Sequence, residues 1–192
     1  MSWDEKAFVR VDSDFWQDWL RRQGRSTQPN LLLELDSREG TRRVAEALAP
    51  LLRPGDVLAL LGDLGAGKTY LTAALGQALG LAEAVASPTF TLVMEHRETA
   101  DGQLARLPLI HMDLYRLAGE EDYWEAGLAD YEDEPALLVL EWAARIRDRL
   151  PAKTILLALD YALELGAEGR RLSLYWPEDE RLEALADLAD LA

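Results

Sequence analysis

The apolar residues of this 192-residue chain fall into two kinds of run. Val57 to Leu61 and Ala136 to Leu140 are unbroken apolar blocks, the pattern of strands buried on both faces of a sheet, and Leu31 to Leu35 reads as a first strand. Other apolar residues recur at helical spacing: Phe15, Trp16, Trp19 and Leu20; Val44, Ala47, Leu48, Leu51 and Leu52; Leu71, Ala74, Leu75, Ala78 and Leu79. Each set predicts a helix with one face on a core. Asp36-Ser37-Arg38-Glu39 has the form of a capping box opening the second helix, and Gly80 ends the third. Leu92 to Arg97 and Leu104 to Met112 flank an Asp101-Gly102 turn signal and predict a hairpin. Thr154 to Leu159 and Arg171 to Tyr175 predict two more strands around a Gly166 to Gly169 turn. Phe8, Val9 and Val11 predict a short strand, Gly24 to Asn30 a polar linker, and Glu178 to Leu191 an acidic amphipathic helix.

Between the Val57 block and the third helix the chain reads Gly62-Asp63-Leu64-Gly65-Ala66-Gly67-Lys68-Thr69. Glycines at 62, 65 and 67 permit dihedrals closed to other residues, so successive amide N–H groups can turn inward around phosphate oxygens. The helix that begins there aims the positive end of its dipole at the same anion. Lys68 is placed to reach the β and γ phosphates and Thr69 to ligate the accompanying magnesium. A strand before and a helix after distinguish such a P-loop from a glycine-rich packing turn. The predicted fold class is therefore α/β and P-loop NTPase-like: a mainly parallel central sheet with added antiparallel strands and helices on both faces. The expected organisation is an extension and linker over 1–30, a P-loop domain over 31–176 and the acidic helix over 177–192.

Two carboxylates stand at the C-terminal ends of predicted strands, the edge where open α/β sheets bind ligands: Asp113 and Glu141. One would hold magnesium beside Thr69, and the other would orient or deprotonate an attacking water or substrate hydroxyl. Glu141, on the more completely apolar strand, is assigned to the metal, and Asp113, with Lys68, to catalysis. The reverse assignment is open, as is a structural Asp113 that caps the next turn and pairs with Arg116. Ser87 and Thr89 flank Pro88 in a turn that either senses a γ-phosphate or is simply capped by its hydroxyls. Thr41 stands at a polar helix start that either touches the base or ribose or serves as a cap. Arg145, Arg147 and Arg149 either supply a phosphate lid or sit on a surface helix. The acidic run from Glu120 to Glu134, interrupted by Tyr123, Trp124 and Tyr131, is either a docking patch or a solvated face with core-facing aromatics.

Charge changes the picture of partners. With 20 Lys and Arg against 35 Asp and Glu the formal net charge is −15, which disfavours a direct grip on a nucleic-acid backbone. No direct DNA binding is expected, and any tRNA would be reached only indirectly, through partner proteins. Cysteine is absent and only His96 and His111 are present, which argues against disulfides and zinc. Asp4, Glu5 and Lys6 replace an apolar signal core and no stretch approaches a membrane span, so a cytoplasmic protein is expected.

The P-loop from Gly62 to Thr69, Ser87-Pro88-Thr89-Phe90-Thr91-Leu92-Val93, His111-Met112-Asp113-Leu114-Tyr115-Arg116 and Glu141-Trp142, in that order, resemble the TsaE (YjeE) family over residues 31–175. The resemblance implies a small bacterial ATPase needed for the N6-threonylcarbamoyl modification of adenosine 37 in tRNAs that read codons beginning with adenine. It implies TsaB and TsaD as partners, whose complex would hold the tRNA, and ATP and Mg2+ as cofactors. It makes Thr69 and Glu141 the magnesium ligands, Ser87 to Leu92 a switch-like segment, Asp113 functionally important, Trp142 a neighbour of the nucleotide and Thr41 a neighbour of the adenine. Nucleotide contacts are expected from Gly65, Ala66, Gly67, Lys68, Thr69, Tyr70, Thr41, Thr89 and Trp142. Tyr70 stands where the family more often has a second threonine. Two other functions fit these residues: a small-molecule kinase with Asp113 as base and the three arginines as lid, and a nucleotide-gated binding module in which ATP only orders the Ser87 to Thr91 loop.

Overall fold

The computed structural model describes Arg10 and residues 13–82 and 85–191; the strand expected at Phe8, Val9 and Val11 lies outside the described residues. Seven strands form one sheet: β1 (Leu31–Leu35), β2 (Val57–Leu61), β3 (Val93–Glu98), β4 (Leu104–Asp113), β5 (Leu137–Glu141), β6 (Ile155–Tyr161) and β7 (Arg170–Tyr175). Their order is β1-β7-β6-β2-β5-β4-β3. The middle is parallel, with β2 between β6 and β5 and β4 beside β5, while β1 on β7, β7 on β6 and β3 on β4 are antiparallel. The unbroken apolar blocks have become β2 and β5, in which every residue is buried. Alternation sends Leu58, Leu60, Leu137 and Val139 into one core and Val57, Ala59, Leu61, Leu138 and Leu140 into the other.

Helices cover both faces. The first core takes α2 (Arg38–Leu48) and α3 (Lys68–Ala78) together with Leu185 and Leu188 of the C-terminal segment. Into the second, α1 (Asp14–Arg22) inserts Trp16, Trp19 and Leu20, and α4 (Glu120–Glu125) inserts Tyr123. The stretch expected as a linker is tied down: Arg25 donates to the carbonyls of Thr154 at 2.6 Å and Tyr175 at 2.7 Å, at the sheet edge away from the glycine loop. Among the described residues no helix is long and apolar enough to cross a membrane.

Two local expectations change. The N-cap of α2 is Ser37, whose Oγ accepts from the Gly40 N–H at 3.3 Å. Gly40 thus stands where a capping box needs its carboxylate, and Glu39 accepts instead from Arg42 Nε at 2.8 Å. The C-terminal segment is a 3₁₀ helix over Leu182–Leu191 rather than an α-helix. Leucines at 182, 185 and 188 recur every third residue, and side chains three apart eclipse in a 3₁₀ helix, which puts all of them on the core side. Of the two placements open to the arginines after β5, a phosphate lid or a helix of their own, they take the second, on a 3₁₀ helix over Ala143–Arg149. The end of α3 follows expectation: Gly80, at φ +77°, donates to Gln77 O at 2.9 Å, and Leu81 N–H reaches Gly76 O at 3.0 Å.

Candidate functional site

β2, β4 and β5 run parallel and end at one edge of the sheet, where the turn from β2 into α3 is built from three glycines at positive φ: Gly62 at +138°, Gly65 at +77° and Gly67 at +113°. Space as well as conformation demands glycine here. A Cβ on Gly62 would overlap the Leu159 carbonyl of β6, and one on Gly65 would stand 2.8 Å from the Tyr161 hydroxyl. The first N–H groups of any α-helix lack partners within the helix. Those of α3 open on a cleft of about 520 Å³ lined by the glycine turn.

Lys68, in the first turn of α3, is only 5% exposed. Its Nζ donates to Gly62 O at 2.9 Å and Asp63 O at 3.0 Å, and lies 5.2 Å from the centre of the Trp142 ring. Burial lowers its pKa from the ordinary lysine value, while the charges of Glu141, Asp113 and Asp63 pull the other way. These carbonyl contacts leave the positive charge available to an anion entering the cleft.

Beside it, Thr69 Oγ1 donates to Glu141 Oε1 at 2.8 Å, and the same oxygen is 3.0 Å from Nε2 of the fully buried His111. A hydroxyl and a carboxylate held this close on a helix start and a strand end suit magnesium. That ion takes few protein oxygens and fills its octahedron with phosphate oxygens and water. Among the described residues no group of three or more His, Cys, Asp or Glu side chains is arranged to hold a metal alone, so an ion bound here would need ligand oxygens as well.

Asp113 is the register partner of Glu141 on the neighbouring strand, and its two oxygens do different work. Oδ1 accepts from the Tyr115 N–H at 3.0 Å, which caps the following turn as one sequence reading expected, although Arg116 lies over the Phe90 ring rather than on Asp113. Oδ2 accepts from Thr89 Oγ1 at 2.7 Å and from Ser87 Oγ at 3.4 Å. The backbone completes the link: Leu92, at φ +66°, accepts from the Asp113 N–H at 3.0 Å, and its own N–H closes on Pro88 O at 2.7 Å. Trp142, directly after Glu141, is likewise left-handed at φ +59° and lies 4.9 Å from the Tyr115 ring. Side chains other than glycine occupy that region at a cost of about 1–3 kcal/mol, and they do so mainly where the surroundings over-determine them. The resulting geometry turns the Trp142 ring back over Lys68.

The far end of the cleft is bounded by Arg38, Thr41, Tyr70, Ala167, Glu168 and Arg170. Arg38 lies 5.8 Å over the Tyr70 ring and pairs with Glu168 at 3.4 Å. Every residue expected from the sequence to contact nucleotide or metal, from Thr41 through the P-loop to Thr89, Asp113, Glu141 and Trp142, borders this one cleft. The arginine lid does not form. Arg147 stacks on Phe15 of α1 at 4.0 Å, Arg149 Nη2 donates to both Glu132 carboxylate oxygens at 2.8 and 3.0 Å, and Arg145 reaches the Tyr115 carbonyl at 3.5 Å. α1 and the acidic run supply partners that this segment's own pattern does not reveal. Arg38, Glu168 and Arg170 were missed by sequence reasoning, and so was the contact of His111 with Glu141. The only signal was position: Glu168 lies in the Gly166 to Gly169 turn and Arg170 directly follows it.

Comparisons with known proteins agree with this arrangement. Residues 35–171 match the family model described as threonylcarbamoyl adenosine biosynthesis protein TsaE. The tRNA threonylcarbamoyladenosine biosynthesis protein TsaE of Bacillus subtilis is 38% identical over 124 residues, 65% of this chain and 73% of that protein. Its counterpart in Streptomyces coelicolor is 40% identical over 122 residues, 64% of this chain and 80% of that one. The Aquifex aeolicus protein is 43% identical over 113 residues, covering 58% and 75%. The crystal structure of Bacillus subtilis YdiB is similar at a TM-score of 0.65 and 29% identity, covering 83% of this chain and 94% of that one. The matched region contains the glycine turn, the Ser87 to Val93 loop and both strand-end carboxylates, and the chain belongs to the TsaE family of tRNA threonylcarbamoyladenosine biosynthesis proteins.

Proposed function

We propose that this protein is a magnesium-dependent ATPase that serves threonylcarbamoylation of adenosine 37 in tRNA, working with TsaB and TsaD. The observation that carries the reading is the convergence at the start of α3 of a glycine cradle, the Lys68 ammonium and the Thr69–Glu141 oxygen pair at 2.8 Å. Backbone N–H groups of Gly65, Gly67, Lys68 and Thr69 bind phosphate oxygens, while the Ala66 N–H closes the turn on Asp63 O at 3.1 Å, and Lys68 exchanges its two carbonyl partners for the β and γ phosphates. Thr69 and Glu141 would hold magnesium, with His111 fixing the Glu141 carboxylate. When bound, the ion neutralises charge that builds on the phosphate oxygens. Asp113 Oδ2 orients the attacking water, which takes the place of the Thr89 hydroxyl or bridges to it, so the Ser87 to Leu92 loop senses whether the γ-phosphate is present. Arg38, Thr41 and Tyr70 face the base and ribose. The charge of −15 supports leaving tRNA to the partner proteins.

The deciding experiment measures ATP hydrolysis by the purified protein, alone and with TsaB plus TsaD. Turnover that rises with the partners and disappears in Lys68→Ala and Glu141→Ala is expected; equal turnover with and without partners overturns the reading. The bonds from Ser87 and Thr89 to Asp113 also favour a second reading, a nucleotide-gated binding module. It predicts that an Asp113→Asn protein loaded with a non-hydrolysable ATP analogue still supports tRNA modification.

A further inference from the structure

A cradle that points its N–H groups inward must point carbonyls outward. Glycine-rich turns have many alternative conformations; here the Ala66 N–H reaches Asp63 O at 3.1 Å and Lys68 Nζ holds the Gly62 and Asp63 carbonyls, which leaves the peptide planes of Leu64, Gly65 and Ala66 to be fixed from outside. The selection has to come from whatever receives the outward carbonyls, because an unpaired one costs free energy and a paired one fixes its peptide plane.

Three consecutive carbonyls of the turn are received by one neighbouring hairpin. Tyr161 Oη donates to Leu64 O at 3.0 Å, Arg170 Nη2 to Gly65 O at 3.5 Å, and Arg170 Nε to Ala66 O at 2.7 Å. Tyr161 and Arg170 face each other in the β6–β7 register, and the guanidinium lies 4.4 Å over the tyrosine ring. Arg170 Nη1 donates to Gly169 O at 2.8 Å, tying the fork to its own turn. We infer that Tyr161 and Arg170 are positioning residues that clamp the phosphate cradle in its binding conformation from behind, an inference that rests on the nucleotide reading of that cradle. Arg170 borders the cleft, and its two short bonds, from Nε to Ala66 O and from Nη1 to Gly169 O, go to carbonyls, so it acts through the loop. A lysine would keep the charge without the planar fork that spans Ala66 O and Gly169 O while stacking on Tyr161.

The test compares Arg170→Met, Arg170→Lys and Tyr161→Phe by ¹⁵N relaxation of the Gly65 and Gly67 amides in nucleotide-free protein and by the dissociation constant for Mg-ATP. In the parent protein these amides are expected near the rigid-backbone order parameter of about 0.85, falling below about 0.6 in Arg170→Met. Affinity for Mg-ATP should drop about tenfold to a hundredfold in Arg170→Met and about threefold to tenfold in Tyr161→Phe, which leaves the packing of the ring intact. Arg170→Lys should restore neither the order parameters nor most of the affinity. Unchanged order parameters in Arg170→Met, a loosened loop with no loss of affinity, or full rescue by lysine would each overturn the clamp. A parent protein that binds no ATP overturns the functional reading instead, while the relaxation data still decide whether the hairpin holds the loop.

Discussion

The glycine loop stands between two unlike walls. On one side the parallel strands β5 and β4 end in Glu141 and Asp113, both 4% exposed, with His111 fully buried behind them. On the other the antiparallel β6–β7 hairpin ends in Tyr161 and Arg170, which are partly exposed and donate to backbone carbonyls. The first wall offers acceptor oxygens to whatever enters the cleft. The second offers donors to the outside of the loop and touches the cleft's contents through it. Connectivity explains the division: β6 runs parallel to β2 and brings Tyr161 to the same edge, but there the chain turns straight back into the antiparallel β7, so the hairpin end leans on the loop. A cleft built this way separates chemistry from shape, and the two can be broken independently.

The harshest break is on the first wall. Glu141→Ala removes a carboxylate from the proposed metal pair and leaves the Thr69 hydroxyl and buried His111 without their shared acceptor. Lys68→Ala removes the cleft's ammonium. Each is expected to lower partner-stimulated ATP turnover about a hundredfold to a thousandfold, measured by phosphate release. Circular dichroism should stay near that of the parent in both, while the melt of Glu141→Ala should fall by several degrees, since leaving buried donors unpaired costs about 1–3 kcal/mol. Turnover surviving in Glu141→Ala would move the metal to Asp113, the reverse assignment that its register position permits.

Asp113→Asn should cost slightly less and differ in kind. Oδ1 of the amide still accepts from the Tyr115 N–H, so the turn keeps its cap, but the new NH₂ group is neither a base nor an acceptor for Thr89. Turnover should fall about a hundredfold with ATP affinity almost unchanged. The split between kcat and KM checks it: a parallel rise in KM would show that Asp113 belongs to binding and not to the chemical step.

The chemical wall was legible in the sequence for a physical reason. A strand buried on both faces is apolar throughout, so the acid that ends Ala136 to Leu140 stands out at once, whereas Asp113 ends a run that also carries Arg106 and His111 and is marked only by its place at a strand end. Lys68 and Thr69 stand out because they follow three glycines placed between an apolar strand and a helix. The supporting wall was not legible. Tyr161 and Arg170 reach partners 97 and 104 residues earlier, and their own alternating pattern predicts only an exposed hairpin end. The left-handed Leu92 and Trp142 were also invisible, because a sequence advertises positive φ only through glycine and sometimes asparagine. His111 looked like a strand residue among apolar neighbours, and its reach across to Glu141 depends on the parallel register of β4 and β5.

His111 therefore sharpens the comparison. Its Nε2 contact fixes the Glu141 carboxylate from behind, as outer partners commonly orient metal ligands, and losing such a partner typically costs about tenfold to a hundredfold in metal affinity. His111→Leu should raise the magnesium concentration needed for half-maximal turnover about tenfold at saturating ATP. Arg170→Met, on the opposite wall, should leave that magnesium midpoint where it was and weaken ATP binding instead. Equal magnesium midpoints in the two variants would mean that the walls do not divide the work.

The smallest effect should come from stability at Tyr161. The hydroxyl bonds Leu64 O in a solvent-accessible place, where water can replace it once it is gone. Tyr161→Phe keeps the ring under Arg170 and should change unfolding free energy by less than about 0.5 kcal/mol, a melting shift of no more than about 2 °C in a chain of this size. Its loop effect should persist, with Gly65 more mobile and Mg-ATP held less tightly. A melting drop several times larger would make the hydroxyl part of the fold's general support and erase the contrast between the walls. A near-unchanged melt with a loosened loop would locate its contribution in the cradle alone.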